Sequence, residues 1–332
     1  MNFGFTEEQT MLGDSLARTL ERSTDAAALF GLGAGAALMT EEAGGFGGTG
    51  PDILMVFRTL SRAGAVTPLL DSVVLGASIL AAAGEGDLAE AAASGAARVA
   101  VALDEPGQRY DGTVATTATN DRLTGEKTVV HGAEDATHLI IRATDGLHLV
   151  EAGAEGLTLR SFGLMDGGRA AEVSLQGVPA RRIGEASLLD RPLAAAVLAL
   201  CADALGVMEK AVDLTTDYLK TRKQFGRSIG SFQAIQHRMA DLLTEVEQAR
   251  SAVWNLAGNL DSRDRDRHVA ATKSLVGRIA CLVAEETIQL HGGIGMTEEY
   301  ELAPMVRRLL AADARFGDSD HHLERFIAVS AA

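Results

Sequence analysis

The sequence predicts an α+β fold in which a small β-domain lies between two helical regions. Only 4% of the 332 residues are aromatic and runs of alanine are frequent, which favours helices over a strand-rich architecture. The middle of the chain differs, because short β-prone runs alternate there with Gly, Asp and Asn. At about 150 residues per domain, the length allows two or three domains. We place them at residues 1–94, 95–185 and 186–332.

The first region, residues 1–94, is predicted to be helical. Thr6 followed by two glutamates is typical of a helix start, Pro51 opens a second helix, and a third is expected across 69–83. The glycines at 45–50 have the spacing of a dinucleotide-binding loop. We reject that interpretation, because no buried strand precedes them, and predict a loop between helices.

The other two regions differ in their hydrophobic period. The middle region is predicted to be a small barrel or sandwich, with β-prone runs at 98–103, 127–130, 138–141, 147–150, 157–159 and 171–175. In the last region apolar residues recur at helical spacing, most clearly between 232 and 260. We predict a four-helix bundle there, built from segments 188–222, 232–260, 268–290 and 302–329.

Charge and composition exclude several classes of function. The chain carries 45 acidic and 30 basic residues, a formal charge of −15, which disfavours nucleic-acid binding. No run of about 20 uncharged apolar residues predicts a membrane span, since Asp203 interrupts the best stretch, and the N-terminus lacks the pattern of a signal peptide. Cys201 and Cys281 lie in apolar helical patterns, so we expect no disulfide and a reducing, cytoplasmic location. We expect no metal site either, because His321 and His322 point in different directions on a helix.

A cationic cluster stands out in this acidic chain. The simplest interpretation is a solvated helix end, because cationic side chains interact favourably with the C-terminus of a helix. The functional interpretation is an anion site, in which Ser231 caps the next helix while its first amides and Arg222 face phosphates. The cluster comprises Lys220, Arg222, Lys223, Arg227 and Arg238, with no acidic residue among them.

A second motif closes the third long helix. Gln289 is followed by Leu-His and then by Gly292, Gly293 and Gly295. A glycine helix stop is the simplest interpretation. Three glycines exceed what a stop needs, however, so a close backbone approach to a ligand is also predicted.

These motifs, on a helical bundle behind a β-domain, resemble those of the acyl-CoA dehydrogenase family. The resemblance implies an FAD enzyme that removes two hydrogens across Cα–Cβ of an acyl-CoA thioester. A carboxylate takes the α-proton while the β-hydrogen leaves as hydride to the flavin, and an electron-transferring flavoprotein is the expected acceptor. The resemblance is carried by residues 5–9, 42–48, 104–107, 123–127, 222–226 and 289–293.

The resemblance also assigns cofactor contacts. In the family, an Arg-x-x-Phe-Gly motif, the Gln that follows it and a Gln-x-x-Gly-Gly turn grip the FAD that is bound mainly by the neighbouring subunit. Arg222 would pair with the pyrophosphate. The positions that match are Arg222, Phe225, Gln233, Gln289, Gly292 and Gly293, together with Ser319.

The sequence departs from the family where the chemistry takes place. The catalytic Glu of the family's Tyr-Glu-Gly-Thr is replaced by Gly317, and the alternative position in some members is about Ala196. Asp318, one residue further on, is the candidate for a relocated base. On the flavin side, Tyr110 replaces a small serine, and 129–131 replace a Trp-Ile-Thr stretch.

We therefore predict the base-lacking small subunit of a heteromeric acyl-CoA dehydrogenase, as an α2β2 assembly with a larger subunit. Bulky acyl-CoA thioesters, including steroid side-chain CoA esters of β-oxidation, are the expected substrates. One alternative is a self-sufficient homotetrameric dehydrogenase that uses Asp318. The other is a flavin-free structural or interaction protein on the same fold.

Overall fold

A computed structural model describes residues 4–23, 25–110 and 112–331, so Asp111, four residues beyond the matched segment 104–107, lies outside the described residues. The chain forms two compact units. The domain boundaries predicted at residues 94 and 185 both lie inside unit 2, so the three-domain division stays a prediction. Unit 1 comprises Met1–Leu20, Ile53–Ala65 and Val197–Ala332, and unit 2 comprises Glu21–Asp52 and Val66–Ala196.

The described helices and strands follow the predicted order of helix, strand, helix. The helices are α1 (Glu7–Leu20), α2 (Ala26–Gly31), α3 (Gly50–Arg62), α4 (Ser78–Ala82, preceded by a π-helical stretch, Leu69–Ala77), α5 (Gly86–Ser94), α6 (Asp190–Thr221), α7 (Gln233–Asn259), α8 (Arg265–His291), α9 (Leu302–Ala314) and α10 (Ser319–Ala331). The strands are β1 (Val99–Ala102), β2 (Thr117–Thr119), β3 (Arg122–His131), β4 (His138–Ala143), β5 (Gly146–Glu151), β6 (Leu157–Gly163), β7 (Arg169–Pro179), β8 (Arg181–Gly184), β9 (Lys223–Gln224) and β10 (Arg227–Ser228).

Helix ends in unit 1 show where local sequence decides the fold. The Thr6 hydroxyl accepts from the Gln9 amide at 3.2 Å, and the Gln9 side chain accepts from the Thr6 amide at 3.0 Å. This reciprocal capping confirms the predicted start of α1. The single helix predicted over 302–329 is wrong, because Phe316 and Gly317 have φ angles of +59° and +102° and separate α9 from α10.

Buried charges on α6 are paired with other helices of unit 1. Glu209, which is 5% exposed, accepts hydrogen bonds at 2.9–3.2 Å from Arg58 and Arg62 of α3 and from Arg250 of α7. Asp203 accepts from Arg308 of α9. A buried carboxylate requires such partners, so these pairs fix the helices against one another.

The apolar character of α6 matches its place in the bundle. By length and composition alone, the segment Ala186–Thr221 is long and apolar enough to cross a membrane, although no membrane span was predicted from the sequence. Its most apolar window is 94% buried inside the protein, as in the core helix of a bundle.

Unit 2 contains the predicted β-domain as two four-stranded sheets. One sheet has the order β1-β4-β5-β8 and the other β2-β3-β7-β6. Strand β1 runs parallel to β4, while the other neighbours in these sheets are antiparallel. The sheets share one core, to which β1, β4 and β5 contribute from one sheet and β3 and β7 from the other. This arrangement is a sandwich.

The glycine-rich loop of unit 2 is explained by close backbone packing. A Cβ on Gly45 would lie 2.2 Å from the Met39 carbonyl oxygen, and one on Gly47 would lie 2.3 Å from the Ala37 carbonyl oxygen. Short 3₁₀ turns, not a strand, lead into the loop. A dinucleotide-binding loop needs that strand, so the geometry supports the loop interpretation.

Candidate functional site

The cationic cluster surrounds a tight hairpin that the sequence pattern does not predict and that carries two of its members, Lys223 and Arg227. Strands β9 and β10 are joined by Phe225 and Gly226, whose φ angles are +52° and +78°. Positive φ at both central residues is the geometry of a type I′ turn, which prefers Asn-Gly. Phe225 is 90% exposed and contacts the Phe232 ring edge-on at 6.2 Å. The hairpin thus presents a bulky aromatic side chain in a conformation that costs free energy.

Some of the cationic side chains of this cluster already interact with other residues of the protein. Arg238 forms an ion pair with Glu286 at 2.7 Å, and the Arg227 guanidinium lies 4.0 Å from the centre of the Phe232 ring. By contrast, the exposed side chains of Arg222 and Lys223 make no hydrogen bond or ion pair within the described residues. Arg222 is therefore available to bind an anion.

The start of α7 lies next to the hairpin. Ser231 was expected to cap this helix, but its hydroxyl donates to the Ser228 carbonyl at 2.7 Å. The N-cap residue is Phe232, which makes no side-chain hydrogen bond to the helix. The first amides of α7, beside the exposed Gln233, consequently keep their partial positive charge unopposed by a side-chain oxygen.

An aromatic stack brings the second motif to the same end of the bundle. His291, the last residue of α8, is 4% exposed and lies 4.5 Å from the ring of Tyr218, which is one helical turn before Arg222. Its Nδ1 lies 2.8 Å from the Thr287 carbonyl oxygen, and burial lowers the pKa of the ring. The stack holds the turn after α8 beside the hairpin.

The glycines of that turn have separate roles. Gly292 has φ +67° and ψ −141°, a region open in practice only to glycine. A Cβ on Gly295 would lie 2.9 Å from the Ile288 carbonyl oxygen, whereas one on Gly293 would face open space. Gly293 therefore leaves the backbone accessible to a ligand.

We call this surface the cationic edge. It brings together six of the predicted cofactor-binding residues, all of them exposed and all in unit 1. The roles of these residues in cofactor binding stay predictions. The cationic edge comprises Arg222, Phe225, Gln233, Gln289, Gly292 and Gly293.

The loop between α9 and α10 carries the other predicted residues. A Cβ on Gly317 would stand 2.6 Å from Cδ2 of His321 and 2.8 Å from Nε2 of His322. A side chain at this position therefore meets both strain from φ +102° and a steric clash.

Asp318 and Ser319 have structural contacts in this loop. The Asp318 carboxylate accepts from the His321 amide at 2.8 Å, which caps α10. The Ser319 amide donates to the Asp313 carboxylate at 3.0 Å. Asp318 as a base and Ser319 as a cofactor contact both remain predictions.

Comparison with known proteins places the chain in a family. The model of the acyl-CoA dehydrogenase C-terminal domain matches residues 188–330. Acyl-CoA dehydrogenase FadE28 of Mycobacterium tuberculosis (strain ATCC 25618 / H37Rv) is 30% identical over 346 residues, which cover 98% of this chain and 97% of FadE28. The chain belongs to the acyl-CoA dehydrogenase family.

Solved structures agree with this assignment. The Tcur3481-Tcur3483 steroid ACAD G363A variant is 30% identical, with a TM-score of 0.88 and 98% of each chain covered. The ChsE4-ChsE5 complex from Mycobacterium tuberculosis is 26% identical, with a TM-score of 0.90, 100% of this chain and 99% of the other covered. The predicted family, fold class and enzyme class are confirmed.

In this acyl-CoA dehydrogenase fold, the segment matching the family's flavin side is held by a buried ion pair in unit 2. Glu105 is 6% exposed and accepts from the Ala115 amide at 2.7 Å, the Thr116 amide at 3.0 Å and the Lys127 ammonium at 2.7 Å. Burial alone would raise the pKa of Glu105, but these hydrogen bonds outweigh it and lower the pKa to about 2. Neither the spacing nor the charge of Glu105 and Lys127 in the sequence indicates that they form a pair.

Two residues near that ion pair have unusual backbones. Val129 has φ +49° at a register shift in β3 and is 41% exposed, and Tyr110 has φ +34°. A β-branched residue with positive φ is a rare outlier. Such strain is concentrated at functional sites, and here it lies at two positions where the residues differ from the family pattern.

The described residues contain no group of three or more His, Cys, Asp or Glu side chains placed to hold a metal ion.

Proposed function

We propose that the chain is the small subunit of a heteromeric acyl-CoA dehydrogenase that lacks a catalytic base of its own. It contributes the cationic edge to FAD held mainly by a larger family member. The observation that carries this proposal is the contrast within unit 1. Arg222 is exposed and unpaired among the described residues, whereas position 317 has no room for the family's carboxylate.

The cationic edge has the chemistry that a dinucleotide requires. The Arg222 guanidinium can donate two hydrogen bonds to a pyrophosphate, and the uncapped start of α7 adds amide donors. The open backbone at Gly293 and the exposed ring of Phe225 suit the flat surface of a nucleotide. When bound, FAD supplies the acceptor for the hydride that leaves Cβ of the thioester.

Proton abstraction from the substrate is then carried out by the larger subunit. A carboxylate of that subunit takes the α-proton, and this chain orients the cofactor from across the interface. Heteromeric relatives support this division, since the similar structures include a steroid ACAD named by two chains and the ChsE4-ChsE5 complex. They also favour a steroid side-chain CoA ester as the acyl group, and an electron-transferring flavoprotein is the acceptor expected of the family.

The contacts of Asp318 count against the self-sufficient alternative. Its carboxylate already accepts from the His321 amide, and it lies in the loop that bends between α9 and α10. A base that caps a helix is not free to swing toward a substrate without loss of that cap. The exposed Arg222 of the cationic edge and the exposed Lys223 beside it count against a flavin-free scaffold.

Co-purification with a full-length family member tests the proposal. We expect the chain alone to be colourless and inactive toward acyl-CoA, and the complex to be yellow and active. Brisk desaturation by the chain alone, with stoichiometric flavin, would contradict the proposal.

A substitution then tests the role of the cationic edge. Because a charge-assisted hydrogen bond contributes about 1.5–3 kcal/mol, Arg222→Ala should raise the FAD dissociation constant of the complex about 10- to 100-fold. Arg278→Ala removes an exposed arginine of α8 that pairs with Glu245 and should leave flavin content unchanged. Equal flavin retention by both variants after gel filtration would refute the assignment.

A further inference from the structure

The loop that should carry the base is braced by a buried lysine. Lys273 of α8 is 1% exposed, and its ammonium donates to the Asp313 carbonyl at 2.8 Å and to the Gly317 carbonyl at 2.7 Å. A buried ammonium is costly unless its hydrogen bonds are satisfied. The two carbonyl oxygens accept hydrogen bonds from two of its three N–H groups, and in return the lysine fixes both ends of the bend.

Two carboxylates secure the rest of the loop. Asp313 accepts from the Ser319 amide at 3.0 Å, and Asp318 accepts from the His321 amide at 2.8 Å. Gly277 of α8 makes the first contact possible, because a Cβ there would lie 2.0 Å from the Asp313 carboxylate. The backbone of the bend is therefore held by hydrogen bonds at residues 313, 317, 319 and 321.

His322 fills the space next to Gly317. The imidazole is 1% exposed, and its Nε2 lies 2.9 Å from the Phe316 carbonyl oxygen, which it binds as a donor. The same nitrogen lies 2.8 Å from the position of a Cβ on Gly317. Cδ2 of His321, a partly exposed residue, lies closer still, at 2.6 Å, so both imidazoles border the space that a side chain at position 317 needs, and His322 is the one that is buried and held by a hydrogen bond to the loop.

We infer that His322, with its loop braced by Lys273, occupies the space that a side chain at position 317 needs and so excludes a catalytic carboxylate from this subunit sterically. The missing base is thus replaced by a closed loop. The consequence that proton abstraction falls to another chain rests on the proposed function. The steric exclusion itself does not.

A double-mutant cycle measured by thermal unfolding separates steric exclusion from backbone strain. Gly64 is a matched control, because its φ is +74° and a Cβ there meets nothing within 4 Å. We expect Gly317→Ala to lower the melting temperature clearly more than Gly64→Ala does. In a His322→Ala background, the extra loss at position 317 should become clearly smaller, while the loss at position 64 should stay the same.

The inference is overturned if Gly317→Ala costs no more than Gly64→Ala, or if its cost is unchanged in the His322→Ala background. If Gly317→Ala alone fails to fold, recovery of folded protein in the double variant supports steric exclusion, and failure of the double variant as well refutes it. None of these readouts depends on flavin or on a partner. Activity of the lone wild-type chain would therefore refute the proposed function and leave this result intact.

A carboxylate variant extends the test. Gly317→Glu alone should be strongly destabilised, and Gly317→Glu with His322→Ala should recover most of the melting temperature. A Gly317→Glu protein as stable as wild type would show that the space is open and overturn the inference.

Discussion

The buried ion pair of unit 2 gives a prediction whose size follows from the structure. The pKa of Glu105 is about 2 in the folded protein against an ordinary 4.5, a difference of about 2.5 units or about 3 kcal/mol. Because the pKa of this carboxyl is lower in the folded than in the unfolded chain, its full contribution to stability is present at pH values above 4.5. That contribution is lost as the pH falls from 4.5 towards 2. At neutral pH, Glu105→Gln leaves the Lys127 ammonium buried without its countercharge, which costs about 3–5 kcal/mol.

Chemical denaturation followed by circular dichroism measures this loss, and hydrogen exchange locates it at the Ala115 and Thr116 amides that bind Glu105. Glu172→Gln is the matched control, because Glu172 forms an exposed pair with Arg160 that should contribute less than about 1 kcal/mol. Glu105→Gln combined with Lys127→Met should cost less than Glu105→Gln alone. If Glu105→Gln destabilises no more than the control does, the argument is wrong.

Three further predictions address unit 1. Phe225→Gly removes a side chain from a residue with positive φ, so the free energy of unfolding should stay equal or rise slightly. FAD retention by the complex should fall. A loss of stability without a loss of flavin would contradict the proposed role of this ring. Glu209→Gln should destabilise by about 1.5–3 kcal/mol, because three partly exposed arginines lose their common buried partner, whereas Glu298→Gln, which removes an exposed pair with Arg307, should cost less than about 1 kcal/mol in the same denaturation assay. Burial lowers the pKa of His322 to about 4, so on acidification the unfolded chain takes up this proton before the folded chain does. The free energy of unfolding should therefore fall by up to about 3 kcal/mol between pH 6.5 and 4. In a His322→Gln variant the free energy of unfolding should depend less steeply on pH in this range, and an equally steep dependence would refute the assignment.

Much of the fold could be predicted from the sequence because its signals are local. The helical period between 232 and 260 predicted α7, and Thr6 with the following glutamates predicted the start of α1. The β-prone runs predicted the strands of the sandwich core. The hairpin of β9 and β10 could not be predicted in this way, since its residues are charged and polar and its Phe-Gly turn departs from the preferred Asn-Gly.

The candidate site was predictable as motifs but not as contacts. Arg222 and Gly292 were found by charge and spacing, and the stack of Tyr218 on His291 that brings them together was not. The proximity of Gly317 to His322 depends on two positive φ angles that a helical pattern does not reveal. The pair of Glu105 and Lys127 joins residues 22 positions apart, beyond the reach of any local rule.

The crowding around Gly317 also limits how this protein can evolve. A change from glycine to glutamate at position 317 would install the residue that the family motif carries, but its side chain would meet the imidazole of His322. Such a variant is expected to fold poorly unless His322 is replaced as well, and replacing His322 first gives no catalytic benefit. The two positions are therefore epistatic, and a carboxylate at position 317 has no easy single-step route into this fold.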